Sequence, residues 1–115
     1  MASIFDQLTP DLIFNAVEEA GFLPTGEYTQ LNSYENRVFD LRLETSSHNE
    51  LSRVIAKFYR PQRWSRAAIE DEHGFLQELS HEGIPAIAPL QLRNKSTLVE
   101  VGGFLMAVFP RVVGQ

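Results

Sequence analysis

Leu51-Ser52-Arg53-Val54-Ile55-Ala56-Lys57-Phe58-Tyr59-Arg60-Pro61 is a run of β-branched and aromatic side chains closed by a proline. Such side chains fit a pleated, half-buried surface, and proline has no N–H to give a ladder, so a strand is expected from Leu51 to Tyr59. One residue breaks the pattern. Lys57 stands among apolar neighbours on both faces of the strand, so its ammonium must snorkel to water, pair with an acid or meet a bound anion.

Upstream, Val38, Phe39, Leu41 and Leu43 alternate with Asp40, Arg42 and Glu44 in a second strand, Tyr28–Asn32 forms a shorter one, and polar Thr45–Glu50 forms a hairpin turn. Before them, Thr9-Pro10-Asp11 supplies an N-cap, a proline at the first helical position and an acid in the first turn. An apolar stripe of Leu12, Ile13, Ala16, Val17 and Ala20 follows and Gly21 stops it, giving a helix of about three turns.

Downstream, Ser65 caps a helix that runs to Glu82 and stops at Gly83 and Pro85. Glu72 lies three residues after Ile69 and four before Leu76, on or beside the stripe that packs on the sheet. Taken alone, a solvated edge position explains it. Beyond the helix come Leu90–Arg93, a turn at Asn94-Lys95-Ser96, Thr97–Val101, a Gly102-Gly103 turn and the apolar run Phe104–Phe109, which is three further short strands. Helix, three strands, helix, then strands with no helix between them suits an antiparallel sheet. The expected class is α+β: a twisted sheet of five to six strands, one packed helix and an extra N-terminal helix.

With 115 residues and 43% hydrophobic composition, one folded domain is expected. The net charge of −5 argues against a nucleic-acid binder driven by overall charge. No cysteine is present, which fits a reducing compartment, and cytoplasm is the expectation. Asp6, Asp11, Glu18 and Glu19 interrupt the first 22 residues, so neither a signal peptide nor a membrane span is expected there. His48, His73 and His81 have no metal-ligand spacing, and solvated or capping roles are expected for them. Lys57, Arg60, Arg63 and Arg66 interleave with Phe58, Tyr59 and Trp64, the composition of a single-stranded nucleic-acid platform. The negative total charge weighs against that use.

A lysine on a central strand and a glutamate on the following helix can meet across the sheet–helix interface, and such a pair is better explained by phosphate binding than by stability. Leu31-Asn32-Ser33-Tyr34-Glu35-Asn36-Arg37-Val38-Phe39, Lys57-Phe58-Tyr59-Arg60-Pro61-Gln62-Arg63-Trp64, Glu72-His73 and Ala107-Val108-Phe109-Pro110 together resemble the stress response kinase A family. That family belongs with the aminoglycoside phosphotransferases, choline kinases and homoserine kinases, which share a protein-kinase-like fold.

The resemblance implies that residues 1–115 form an ATP-binding small lobe that ends at the hinge, without the catalytic C-terminal lobe. By the same resemblance Lys57 contacts the α- and β-phosphates and Glu72 pairs with it. The turn Asn32–Arg37 covers the phosphates; lacking glycine, it would use backbone N–H groups with Ser33 and Asn36. Val108 would line the back of the adenine pocket, the Phe109 carbonyl would accept from the adenine amino group and the Arg111 N–H would donate to the ring. Catalytic and magnesium-binding groups would come from the missing lobe, so no metal ligand is expected here and the fragment would be inactive. The intact protein would be a Ser/Thr kinase acting with ATP and Mg2+. A small-molecule phosphotransferase lobe, or a non-enzymatic module using 57–66, are the alternatives. The acceptor would be a protein or small molecule, with neither nucleic acid nor membrane as partner. Exposed interlobe residues such as Val108 and Phe109 would favour self-association.

Overall fold

Thr9 opens the first helix as its position requires: Oγ1 accepts from the Leu12 N–H at 3.2 Å, and Gly21 closes the helix at a φ of 111°. The computed structural model describes residues 4–33, 35–44 and 51–111, so the Thr45–Glu50 turn, His48, Tyr34 and Val112–Gln115 lie outside the described residues. A short 3₁₀ turn at Ile4–Gln7 precedes α1 (Pro10–Ala20), β1 (Pro24–Leu31), β2 (Arg37–Leu43), β3 (Arg53–Phe58), α2 (Arg66–His81), β4 (Val99–Val101) and β5 (Phe104–Pro110). The strands form one antiparallel sheet in the order β1-β2-β3-β5-β4. The class is α+β, with the arrangement of a kinase-like small lobe.

Two expectations change in detail. Leu90–Arg93 forms no strand: the Leu90 N–H bonds the Val108 carbonyl at 2.7 Å, after which Leu92 and Arg93 turn to Ser96 and Ala20. The Leu92 N–H, next in turn to carry that pairing on, is taken by the Ser96 carbonyl at 2.8 Å instead. β1 starts at Pro24, four residues before Tyr28, and its register shifts between those two residues.

Alternation along the strands gives the sheet two unequal faces. On one, Phe39, Leu41 and Leu43 of β2, Val54, Ala56 and Phe58 of β3, and Phe104, Met106 and Val108 of β5 form the main core under Ile13, Ala16, Val17 and Ala20 of α1. On the other, Tyr59, Ala107 and Leu98 form a smaller core with Ile69 of α2. Gly102 turns the β4–β5 hairpin at a φ of 61°, and a Cβ there would lie 2.8 Å from Leu12 Cδ1, so it serves both the turn and the approach of α1.

Val108 is fully buried under α1 and Phe109 is half-buried, which corrects the expectation that both would be exposed. The exposed large apolar side chains among the described residues are instead spread along the chain, at Ile4, Leu23, Tyr28, Leu31, Trp64, Phe75, Ile84 and Ile87.

Candidate functional site

β3 divides its groups between its two neighbours. The Leu43 N–H bonds the Ser52 carbonyl and the Tyr59 N–H bonds the Leu105 carbonyl. Antiparallel pairing alternates, so even-numbered β3 residues bond β2 and odd-numbered ones bond β5. Side chains alternate too, which puts Lys57 and Tyr59 on the α2 face, opposite the core residues Ala56 and Phe58. Lys57 pairs with Val38 of β2 and Ala107 of β5.

Around Lys57 lies a cavity of about 130 Å³, walled by Glu35, Asn36, Tyr59, Trp64, Ala68, Ile69 and Glu72. The structure therefore brings Lys57, Glu72 and Asn36 to one hollow. Glu72 is exposed, and no ion pair joins it to Lys57. The ammonium instead stands 5.0 Å from the centroid of the Tyr59 ring.

The glycine-free turn before β2 is tied to the loop after β3. Asn36 Oδ1 accepts from the Arg60 N–H at 3.1 Å, and Glu35 meets Arg63 at 3.4 Å. With its oxygen so engaged, Asn36 keeps its NH2 group as a donor. Ser33 is exposed and is not part of the cavity wall.

The residues assigned to the base fare differently. Val108 belongs to the core on the α1 side, the opposite face from Lys57, and does not line this cavity. Phe109 pairs with Ile55, and by the alternation above its carbonyl turns into the β3 ladder rather than to a free edge, while its ring lies on the Lys57 face. Arg111 places its guanidinium 3.0 Å from Asp40 Oδ2, with Arg53 at 3.8 Å from Oδ1. Asp40 itself is only 8% exposed.

His73 corrects the sequence expectation most sharply. It is 1% exposed rather than solvated, and Ile69 and His73 are the two buried residues of α2. Tyr59 Oη lies 3.1 Å from Nε2 and Thr97 Oγ1 lies 2.7 Å from Nδ1. The spacing of Ile69, His73 and Leu76 carried the signal, since positions i, i+4 and i+7 define the buried stripe and Glu72 sits one step round from it.

Burial lowers the His73 pKa from its ordinary 6.5; Glu72 opposes the shift, Lys57 adds to it and Glu70 opposes it. Burial, then the Glu72 carboxylate, pushes the Tyr59 phenol well above its ordinary value. The folded state thus prefers neutral His73. Its contribution to stability is complete above pH 6.5 and is lost as the pH falls from there through the folded value, because the unfolded chain takes up the proton first. Thermal melts of the wild type should therefore drop more steeply between about pH 7 and pH 5 than those of His73→Gln, and parallel curves would refute the assignment.

Among the described residues, no group of three or more His, Cys, Asp or Glu side chains is placed to hold a metal, and no helix is long and apolar enough to cross a membrane. Lys57 is the one cation of the cavity wall among the described residues and stands with the acids Glu35 and Glu72, while Arg63 meets Glu35 at 3.4 Å from outside the wall. The hollow is small and partly open, with room for about four waters' worth of matter.

The phosphotransferase enzyme family (APH) matches residues 27–115. The chain is 40% identical over 114 residues to stress response kinase A of Escherichia coli O157:H7 and to serine/threonine protein kinase RdoA of Salmonella typhimurium, covering 99% of this chain and 33% of each relative. Stress response kinase A of Shigella flexneri matches to the same extent. The chain spans about a third of the length of these relatives. A strand lysine and a helix glutamate facing one hollow, in a chain matched over its last 89 residues, place it in a group: the chain belongs to the phosphotransferase enzyme family.

Proposed function

We propose that residues 1–115 are the ATP-binding lobe of a kinase whose intact form transfers the γ-phosphate of ATP to a Ser/Thr hydroxyl. The observation that carries this is the cavity shared by Lys57, Glu72 and Asn36. Bound ATP supplies the phosphoryl group; Lys57 and the Asn36 NH2 hold its anionic oxygens, and Glu72 orients Lys57. The half-buried Val38 and Ile55 on the Lys57 face, beside the Phe109 ring, offer the flat apolar floor a purine needs, in place of Val108. Groups that orient the acceptor and hold Mg2+ belong, in this reading, to a second lobe outside residues 1–115, and the piece is inactive without it. Self-association of the piece through the face that would meet that lobe is expected, and sedimentation at high concentration checks it. Cytoplasm is the proposed compartment.

The family match also supports a small-molecule acceptor. A non-enzymatic module has its own support: a larger cavity of about 270 Å³ is lined by Arg60, Gln62, Trp64, Arg66, Glu100 and Gly103 among others. Trp64, the sole tryptophan, lines both cavities and reports on each. Titration with Mg-ATP should change its fluorescence saturably, while single-stranded oligonucleotides should not. Salt-sensitive oligonucleotide binding with no nucleotide effect would favour the module instead.

A further inference from the structure

Helix α2 rests on the sheet through two buried side chains, Ile69 and His73. Ile69 supplies apolar contact without direction. His73 is directional: its ring spans from Tyr59 on the β3 side to Thr97 just before β4, at 3.1 and 2.7 Å. Both hydroxyls can donate or accept, so a neutral ring is satisfied at both nitrogens. Its ring also meets Phe109 edge-on, with centroids 6.0 Å apart.

Two features tie this arrangement to the cavity. Glu72 precedes His73, so any rotation of α2 about its axis carries the Glu72 carboxylate with it. Tyr59, whose hydroxyl His73 holds, has its ring under the Lys57 ammonium. One imidazole therefore touches the element that carries the acid and the ring that seats the base.

We propose that His73 is a positioning residue: by holding Tyr59 and Thr97 together it fixes the rotation of α2 and the height of the Tyr59 ring, and so sets where Glu72 and Lys57 stand relative to each other. Lys57 has two seats, the Tyr59 face observed here and the anionic side of the cavity, and the hydrogen bonds of His73 set the balance between them. The effect on nucleotide rests on the function proposed above; the seating of Lys57 does not.

The charged and titratable groups around the ring are Glu72 and Glu70 on its own helix and Lys57 and Tyr59 on and after β3. All belong to the same small region, so a readout at Lys57 reports directly on His73.

The chain has two lysines, Lys57 and Lys95, so the ε-methylene signals in a 1H–13C spectrum are simple to assign. In the wild type those of Lys57 should lie upfield of those of Lys95, because they sit over an aromatic ring. In Thr97→Val and in His73→Phe they should move toward the Lys95 position, and Mg-ATP affinity should fall about fivefold. Ile13→Val, which trims packing in the α1-side core away from the cavity, should lower stability without moving the Lys57 signal. Should His73→Phe not fold, Thr97→Val decides. A Lys57 signal unmoved in a folded Thr97→Val protein overturns the proposal. A moved signal in a chain that binds no Mg-ATP upholds the seating and removes the nucleotide function instead.

Discussion

Phe58→Ala should leave the chain unfolded or barely folded at 25 °C. Phe58 is fully buried at the C-terminal end of β3, and its ring makes edge contacts with Phe39 at 5.8 Å and Phe104 at 6.4 Å. Those rings continue to Tyr28 on one side and Phe5 on the other, so one aromatic series runs through the core on the α1 side. Truncating a buried phenylalanine costs about 3–5 kcal/mol through lost burial and the cavity left behind. Domains have about 5–15 kcal/mol in total, and a lobe with a second, thin core stands toward the low end. Urea unfolding checks this: the midpoint should fall by more than about 1 M, with Phe58→Leu retaining most of it. A midpoint for Phe58→Ala within a few tenths molar of wild type would mean that the core is not organised around β3.

Lys57→Ala should instead cost binding and spare the fold. The lysine is half-buried, and its interaction with the Tyr59 ring contributes about 1 kcal/mol or less. A charge-assisted contact to phosphate contributes about 1.5–3 kcal/mol, so Mg-ATP affinity should fall about 10- to 100-fold while the urea midpoint moves little. Glu72→Gln should have a smaller effect on affinity, since Glu72 is exposed and forms no direct pair with Lys57 in this structure. A core role for the lysine stem would give the opposite result: a large loss of stability with unchanged affinity.

Much of the fold was legible because its signals are local. Thr9-Pro10 and Gly21 bracket α1, Ser65 accepts from the Ala68 N–H at 3.0 Å to start α2, and Gly102-Gly103 turns the last hairpin. Each is a short-range constraint that neighbouring residues cannot override. Lys57 and Glu72 were legible as violations of apolar patterns, and both line the cavity.

What failed depended on distant partners. His73 looked solvated because an imidazole is polar, and the two hydroxyls that satisfy it lie 14 and 24 residues away. The burial of Asp40 was not legible for the same reason; its partner Arg111 enters from beyond β5. The face that Val108 takes was not legible because Phe104–Phe109 is apolar throughout, and a run with no polar residue carries no phase. The shared core that Phe104, Met106 and Val108 form with the α1 residues shows which side its even-numbered residues take.

The central claim is that a nucleotide occupies the Lys57 face beside α2. Mapping backbone amide shifts of the 15N-labelled chain during a Mg-ATP titration tests it most directly. The largest changes should fall at Asn36, Ile55, Lys57, Ile69 and Glu72. No changes at all, or changes confined to Arg60, Gln62, Arg66 and Gly103 around the larger cavity, would contradict it.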